Sequence, residues 1–153
     1  MRILFVCTGN TCRSAMAEGI ARAAAERRQV RDVAFSSAGT SAWEGAPASD
    51  GALLVGLERK LDLNGHRARS LTRDIVADAD VILGMGSHHV ERANVLGGDG
   101  KSHLLSDYAA DSVGGRSVAD PFGGDLDMYR TTADELVRMV DALIDRLAKR
   151  PEA

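Results

Sequence analysis

Cys7-Thr8-Gly9-Asn10-Thr11-Cys12-Arg13-Ser14 is the stretch whose residue types and spacing suit chemistry. The apolar run Ile3-Leu4-Phe5-Val6 before it reads as a buried parallel strand. The Ala-, Glu- and Arg-rich stretch from Ala15 to Arg28 after it reads as a helix. The loop between would gather the N–H groups left without partners at a helix start, where the helix dipole also favours negative charge. That is an anion site. Gly9 is expected to take the positive φ that turns N–H groups inward, with Thr8, Thr11 and Cys12 completing the cradle. Arg13 adds a planar fork for two phosphate oxygens. Such surroundings favour a thiolate at Cys7. The chemistry implied is attack of sulfur on phosphorus, giving a phosphocysteine intermediate. Ser14 is expected to hydrogen-bond the sulfur, and Asn10 to bond the loop's own backbone.

Cys7-x5-Arg13-Ser14 near the start of the chain resembles the low-molecular-weight protein tyrosine phosphatase family. CTGNTCRS is most similar to the protein arginine phosphatase branch of that family. The likeness continues through Ser37-Ala38-Gly39-Thr40, Gly65-His66-Arg67-Ala68-Arg69 and Asp120-Pro121. It implies a Cys-dependent protein phosphatase with Asp120 as the acid that protonates the leaving group. The same carboxylate can then activate water, and Pro121 fixes the backbone behind it. The family usually carries Pro where this chain has Ala15, a good helix former at that position.

Two features favour phosphoarginine as substrate. Thr11 stands where the tyrosine branch has Ile, which changes the shape and polarity of the pocket mouth. Phe122 is followed by Gly123 and Gly124, so the second aromatic of the tyrosine-specific members is missing after Asp120-Pro121. Phosphotyrosine gains from a pair of aromatic walls, whereas a guanidinium needs a carboxylate such as Asp120. Trp43, on a loop of Gly, Ser, Pro and Glu, looks like a cleft wall and keeps a protein-tyrosine phosphatase as the alternative. An arsenate reductase of the disulfide-relay kind needs cysteines beyond Cys12, and this chain has only the two. A non-catalytic phosphate-binding module has no use for Cys7, Arg13 and Asp120 together. Cys12 is a candidate to trap an oxidised Cys7 as a reversible disulfide, or else fills space in the loop.

These residues need a scaffold. Helix one is expected over Ala15–Arg28, with Met16, Ile20, Ala23 and Ala24 buried and Arg22, Glu26 and Arg27 in water. Strand two is expected over Val33–Ser37. Ser36 and Ser37 either bond the phosphate loop across the sheet or merely end the strand. A second helix is expected over Ser49–Lys60 with Leu53, Leu54 and Leu57 on one side. Strand three spans Ala79–Met85 and strand four His103–Leu105, with polar loops at 94–101 and 109–116. A long amphipathic helix covers Thr131–Arg150, opened by Thr132-x-x-Glu135 as a capping box. His66 reads as a hydrogen-bonded structural histidine; His88 and His89 read as surface or capping residues, since adjacent positions make poor joint metal ligands. Strands alternating with helices give an α/β fold, a single domain over residues 1–150 with a 151–153 tail. It is expected to be a four-stranded parallel Rossmann-like sheet with helices on both faces, and its reactive loop at the carboxyl end of the first strand.

The 153 residues carry a net charge of −3 and no basic block, which argues against a nucleic-acid binder. No apolar stretch is long enough to span a membrane. Val6 before Cys7 does not fit a cleaved lipoprotein signal. A cytoplasmic monomer acting on phosphorylated proteins is expected, with no metal or cofactor because Arg13 and the loop N–H groups supply the positive field.

Overall fold

The computed structural model describes residues 1–110 and 117–150. Its sheet is formed by β1 (Arg2–Cys7), β2 (Ala34–Gly39), β3 (Val81–Gly84) and β4 (Ser102–Leu104), all parallel in the order β2-β1-β3-β4. β1 is central and buried on both faces, as its unbroken apolar run requires. Ile3, Phe5 and Cys7 face one layer, where Phe5 stacks on Phe35 with centroids 6.0 Å apart. Leu4 and Val6 face the other with Ala38, Leu71, Val76, Ile82 and Ala93.

The first layer holds α1 (Arg13–Arg27), α2 (Asp50–Glu58) and α6 (Leu126–Lys149). The second holds α3 (Arg73–Asp78) and α4 (Ser87–Ala93); α5 (Leu105–Ala110) follows β4 directly. After β1 the chain goes to β2 on one side, and β3 then pairs on the other. The connections therefore diverge above the carboxyl ends of β1 and β3, the switch point where open α/β sheets receive ligands.

Several expectations shift. In α1, Ala23 is half-buried, and Ala17 and Ala21 join Met16, Ile20 and Ala24 inside. In α2 the buried residues are Ala52, Val55 and Gly56, whereas Leu54 and Leu57 are exposed. Small residues face inward because Tyr129 lies against the helix: a Cβ on Gly51 would sit 2.6 Å from its ring. α6 begins at Leu126, since Asp125 caps it by accepting from the Met128 N–H. Thr132 is thus a buried interior residue, while Leu136, Val140, Leu143 and Leu147 form the expected core stripe. Helices α3 and α5 were not expected. The 94–101 loop instead opens with a π-helical turn at Asn94–Gly98, kinked at Gly97. Of the 109–116 loop, Ala109 and Ala110 end α5; residues 111–116 and the 151–153 tail lie outside the described residues. Among the described residues no helix is long and apolar enough to cross a membrane.

Candidate active site

Cys7 ends β1 buried in the α1/α6 layer, and residues 8–12 turn from it into the start of α1. The left-handed step of this turn belongs to Asn10, with φ 58°, and not to Gly9. Asparagine tolerates that region when its amide bonds locally, and here it is tied on every side. Its Nδ2 donates to Ser14 Oγ at 2.8 Å, and its Oδ1 accepts the Arg69 N–H at 3.0 Å. Its carbonyl lies 2.5 Å from His66 Nε2. The side chain thus reaches Ser14 and a distant segment instead of the loop's own backbone, and His66 is a structural support.

These bonds fix where the protons are. The Arg69 N–H can only donate, so the Asn10 amide has its oxygen toward Arg69 and its nitrogen toward Ser14. Ser14 Oγ therefore accepts from Asn10, and its own hydrogen is available to Cys7 Sγ, 2.9 Å away, which as a thiolate can only accept. The Asn10 backbone N–H donates to the same sulfur at 3.3 Å. Cys7 Sγ thus sits within reach of two groups able to donate to it, a hydroxyl and a backbone N–H.

Arg13 is buried at the first position of α1. Its NH1 donates to the Val118 carbonyl at 3.1 Å, and its NH2 lies 3.4 Å from Asp120 Oδ2. Its Nε is buried without a partner among the described residues. Leaving a buried charged donor unpaired costs about 1–3 kcal/mol or more, and an oxyanion in the cradle would satisfy it. The Asp120 side chain remains half exposed, and its Oδ1 accepts the Phe122 N–H at 3.0 Å. The carboxylate is so held at the mouth by Arg13 and by its own turn.

The frame around the loop comes from remote segments. Thr40 and Ser41 donate to the carbonyls of Cys7 and Thr8, each at 2.9 Å. Gly39 permits this approach, because a Cβ there would stand 2.4 Å from the Thr8 carbonyl oxygen. The Ser49 N–H donates to the Thr11 carbonyl at 3.0 Å. Cys12 is buried, its Sγ 3.2 Å from Ser49 Oγ and 3.4 Å from Tyr129 Oη. Burial, and after it the Cys12 contact, pushes the Tyr129 phenol up to about 12, so it stays a donor at neutral pH. Ser37 Oγ donates to Glu18 and not to the phosphate loop. Trp43 and Phe122 stand 84% and 73% exposed, free to meet a large substrate. Ser49 and Tyr129 had no signal in the sequence, and Arg69 only its place in the Gly65–Arg69 segment, for each acts through a contact far along the chain.

His89 is fully buried at the start of α4. Its Nδ1 accepts the Gly86 N–H at 2.9 Å, and its Nε2 lies 2.9 Å from Thr8 Oγ1. Burial, then the nearby His88 and Arg13 charges, lower it to about 4 despite Asp120. The ring is neutral at ordinary pH. The capping role expected for this pair thus belongs to His89, in the interior and not at the surface.

The geometry suits an acyl- or phosphoryl-type displacement, with a thiol sulfur at the foot of a helix N-terminus, a buried guanidinium beside it and a carboxylate on that guanidinium. The chain matches the family described as low molecular weight phosphotyrosine protein phosphatase over residues 2–153. It is 38% identical to a protein-arginine-phosphatase of Bacillus subtilis, over 97% of this chain and 98% of that one. It is 35% identical to the low molecular weight protein-tyrosine-phosphatase PtpB of Staphylococcus haemolyticus, over 94% and 97% of the two chains. Among solved structures, the C7S mutant of YwlE arginine phosphatase, with a phosphorylated active-site serine, superposes with a TM-score of 0.90 at 38% identity, covering 97% of each chain.

Proposed function

The chain belongs to the low molecular weight phosphotyrosine protein phosphatase family, and from that premise we propose that it hydrolyses phosphoarginine on proteins through a phosphocysteine on Cys7. The observation that carries the reading is the sulfur within hydrogen-bond reach of Ser14 Oγ and the Asn10 N–H, beside a buried arginine whose Nε has no partner among the described residues. In the first step Cys7 Sγ attacks phosphorus and the P–N bond breaks. Asp120 gives its proton to the departing guanidine nitrogen. Arg13 and the N–H groups of Thr8 to Ser14 hold the phosphoryl oxygens. In the second step Asp120, now a carboxylate, takes a proton from water as that water attacks phosphorus. The P–S bond breaks, and Ser14 receives the thiolate again. Phosphoarginine and water become arginine and phosphate, with no metal or cofactor in either step.

Phosphoarginine is favoured over phosphotyrosine by Thr11 at the pocket mouth and by the lack of a second aromatic after Phe122. The presence of both arginine and tyrosine phosphatases among its relatives, and the exposed Trp43, support phosphotyrosine as the second reading. The test compares phosphate release from phosphoarginine and phosphotyrosine peptides by the parent, Cys7→Ser and Thr11→Ile. Cys7→Ser should release no phosphate from either, and Thr11→Ile should move the ratio at least tenfold toward phosphotyrosine. A Thr11→Ile ratio equal to the parent's removes the pocket-mouth argument. We further propose that the enzyme works as a cytoplasmic monomer, which sedimentation at micromolar concentration tests for the monomer.

A further inference from the structure

We propose that His89 is a positioning residue, which fixes the Thr8 hydroxyl as a hydrogen donor to the bound phosphoryl group. The inference rests on the phosphatase reading of the same pocket. The two residues meet at the switch point of the sheet, Thr8 just beyond β1 and His89 just beyond β3. The Gly86 N–H can only donate, so His89 Nδ1 must be the accepting nitrogen. In a neutral imidazole the hydrogen then sits on Nε2, and it is Nε2 that donates to Thr8 Oγ1.

That direction matters for threonine. A hydroxyl that gave its hydrogen to the ring would be used up inside the protein. Here Oγ1 accepts from the ring, and its own hydrogen is left for something else. Among the described residues Thr8 Oγ1 has no second side-chain or backbone partner. Thr8 follows Cys7 directly, and it is half-buried. The group that needs donors at this place is the phosphoryl group on Cys7.

The β3–α4 turn also carries the other half of the pocket. Met85 accepts the Val118 N–H at 2.8 Å, and the Val118 carbonyl in turn accepts from Arg13. One short turn therefore braces the segment leading to Asp120 through Met85, and Thr8 through His89. Through Thr8, the residue after Cys7, the His89 ring reaches the edge of the same pocket.

The test separates capping from positioning by the shape of two amides. His89→Asn keeps an acceptor near Nδ1 for the Gly86 N–H and loses the donor to Thr8. His89→Gln keeps a donor near Nε2 and loses the acceptor. The full chain and these variants, with Thr8→Val and the double variant His89→Asn/Thr8→Val, are titrated with inorganic phosphate by calorimetry. They are also assayed on p-nitrophenyl phosphate and a phosphoarginine peptide, and melting temperatures are recorded. His89→Asn should weaken phosphate binding and lower kcat/KM on both substrates by roughly tenfold or more, the lower end of the worth of one hydrogen bond to a charged group. His89→Gln should stay within about threefold of the parent even where it melts lower. The double variant should lose no more than Thr8→Val alone, because the two act through one hydroxyl.

An Asn variant with unchanged phosphate affinity overturns the proposal. So do Asn and Gln variants that fall together, or losses that add in the double variant. A parent that binds phosphate and cleaves neither substrate overturns the phosphatase reading and leaves the calorimetric comparison to decide the role of His89. A parent that binds no phosphate overturns both.

Discussion

Ser14→Ala removes one hydroxyl with two duties. Its hydrogen goes to Cys7 Sγ at 2.9 Å, and its oxygen takes the Asn10 amide at 2.8 Å. A hydrogen bond to a charged group contributes about 1.5–3 kcal/mol net, equivalent to roughly 10- to 150-fold in rate at about 1.4 kcal/mol per factor of ten. The sulfur is most in need of that hydrogen when the P–S bond breaks and charge returns to it. Hydrolysis of the phosphocysteine should therefore slow more than its formation. Rapid mixing with p-nitrophenyl phosphate reads both steps: the Ser14→Ala variant should give a burst of nitrophenol near one equivalent, then a steady rate lowered about 10- to 150-fold. The stranded Asn10 amide is a separate effect, about 1–3 kcal/mol of stability. For a domain of this size that lowers the melting temperature by about 2–4 °C per kcal/mol. A variant that melts lower but keeps its steady rate within twofold, with no burst, would refute the proton assignment from Asn10 through Ser14 to sulfur.

Gly39→Ala forces a Cβ to 2.4 Å from the Thr8 carbonyl. The loop must move, so we expect loss of phosphate binding measured by calorimetry, whereas Gly65→Ala, whose Cβ meets nothing within 4 Å among the described residues, should keep it. His89 is lowered from 6.5 to about 4. Its contribution to stability is therefore complete above about pH 6.5 and lost as the pH falls toward 4, because the unfolded chain takes up the proton first. Urea unfolding at pH 7 and pH 5 should show a loss of about 2 kcal/mol in the parent that His89→Asn lacks; equal losses would mean that other groups carry it. Peroxide should oxidise the Cys7 thiolate to a sulfenic acid, releasing hydroxide, and the Cys12 thiol should displace water from it to form a disulfide. A reductant then restores parental activity but not that of Cys12→Ser held in peroxide for the same time; equal recovery removes the role for Cys12.

What could be read from the sequence was local. Cys7, Asn10, Arg13 and Ser14 lie within one loop and one helical turn, so their types and spacing already imply their encounter. Asp120 was legible only through the resemblance, because Asp-Pro alone marks an ordinary turn. Arg69 and His66 reach Asn10 across 59 and 56 residues, Thr8 meets His89 across 81, and Cys12 meets Tyr129 across 117. No periodicity encodes such contacts. The fold behaved similarly: β1 and α6 announced themselves by a continuous run and a 3.6-residue stripe. In α2, by contrast, Leu54 and Leu57 suggested the wrong inner face, since the large ring over Gly51 set which side could be covered. The short α3 and α5 have too few turns for a repeat to show.

Asn10 holds its left-handed turn because Ser14, Arg69 and His66 clamp it from outside. The eight-residue signature is thus not a portable module. Grafted after the first strand of another parallel sheet, it would keep its cysteine and arginine but relax into a floppy bend with a slack grip on anions. A working transplant would have to bring along the 64–70 segment and the entry to α4, so the smallest heritable unit of this chemistry is most of the sheet's upper rim.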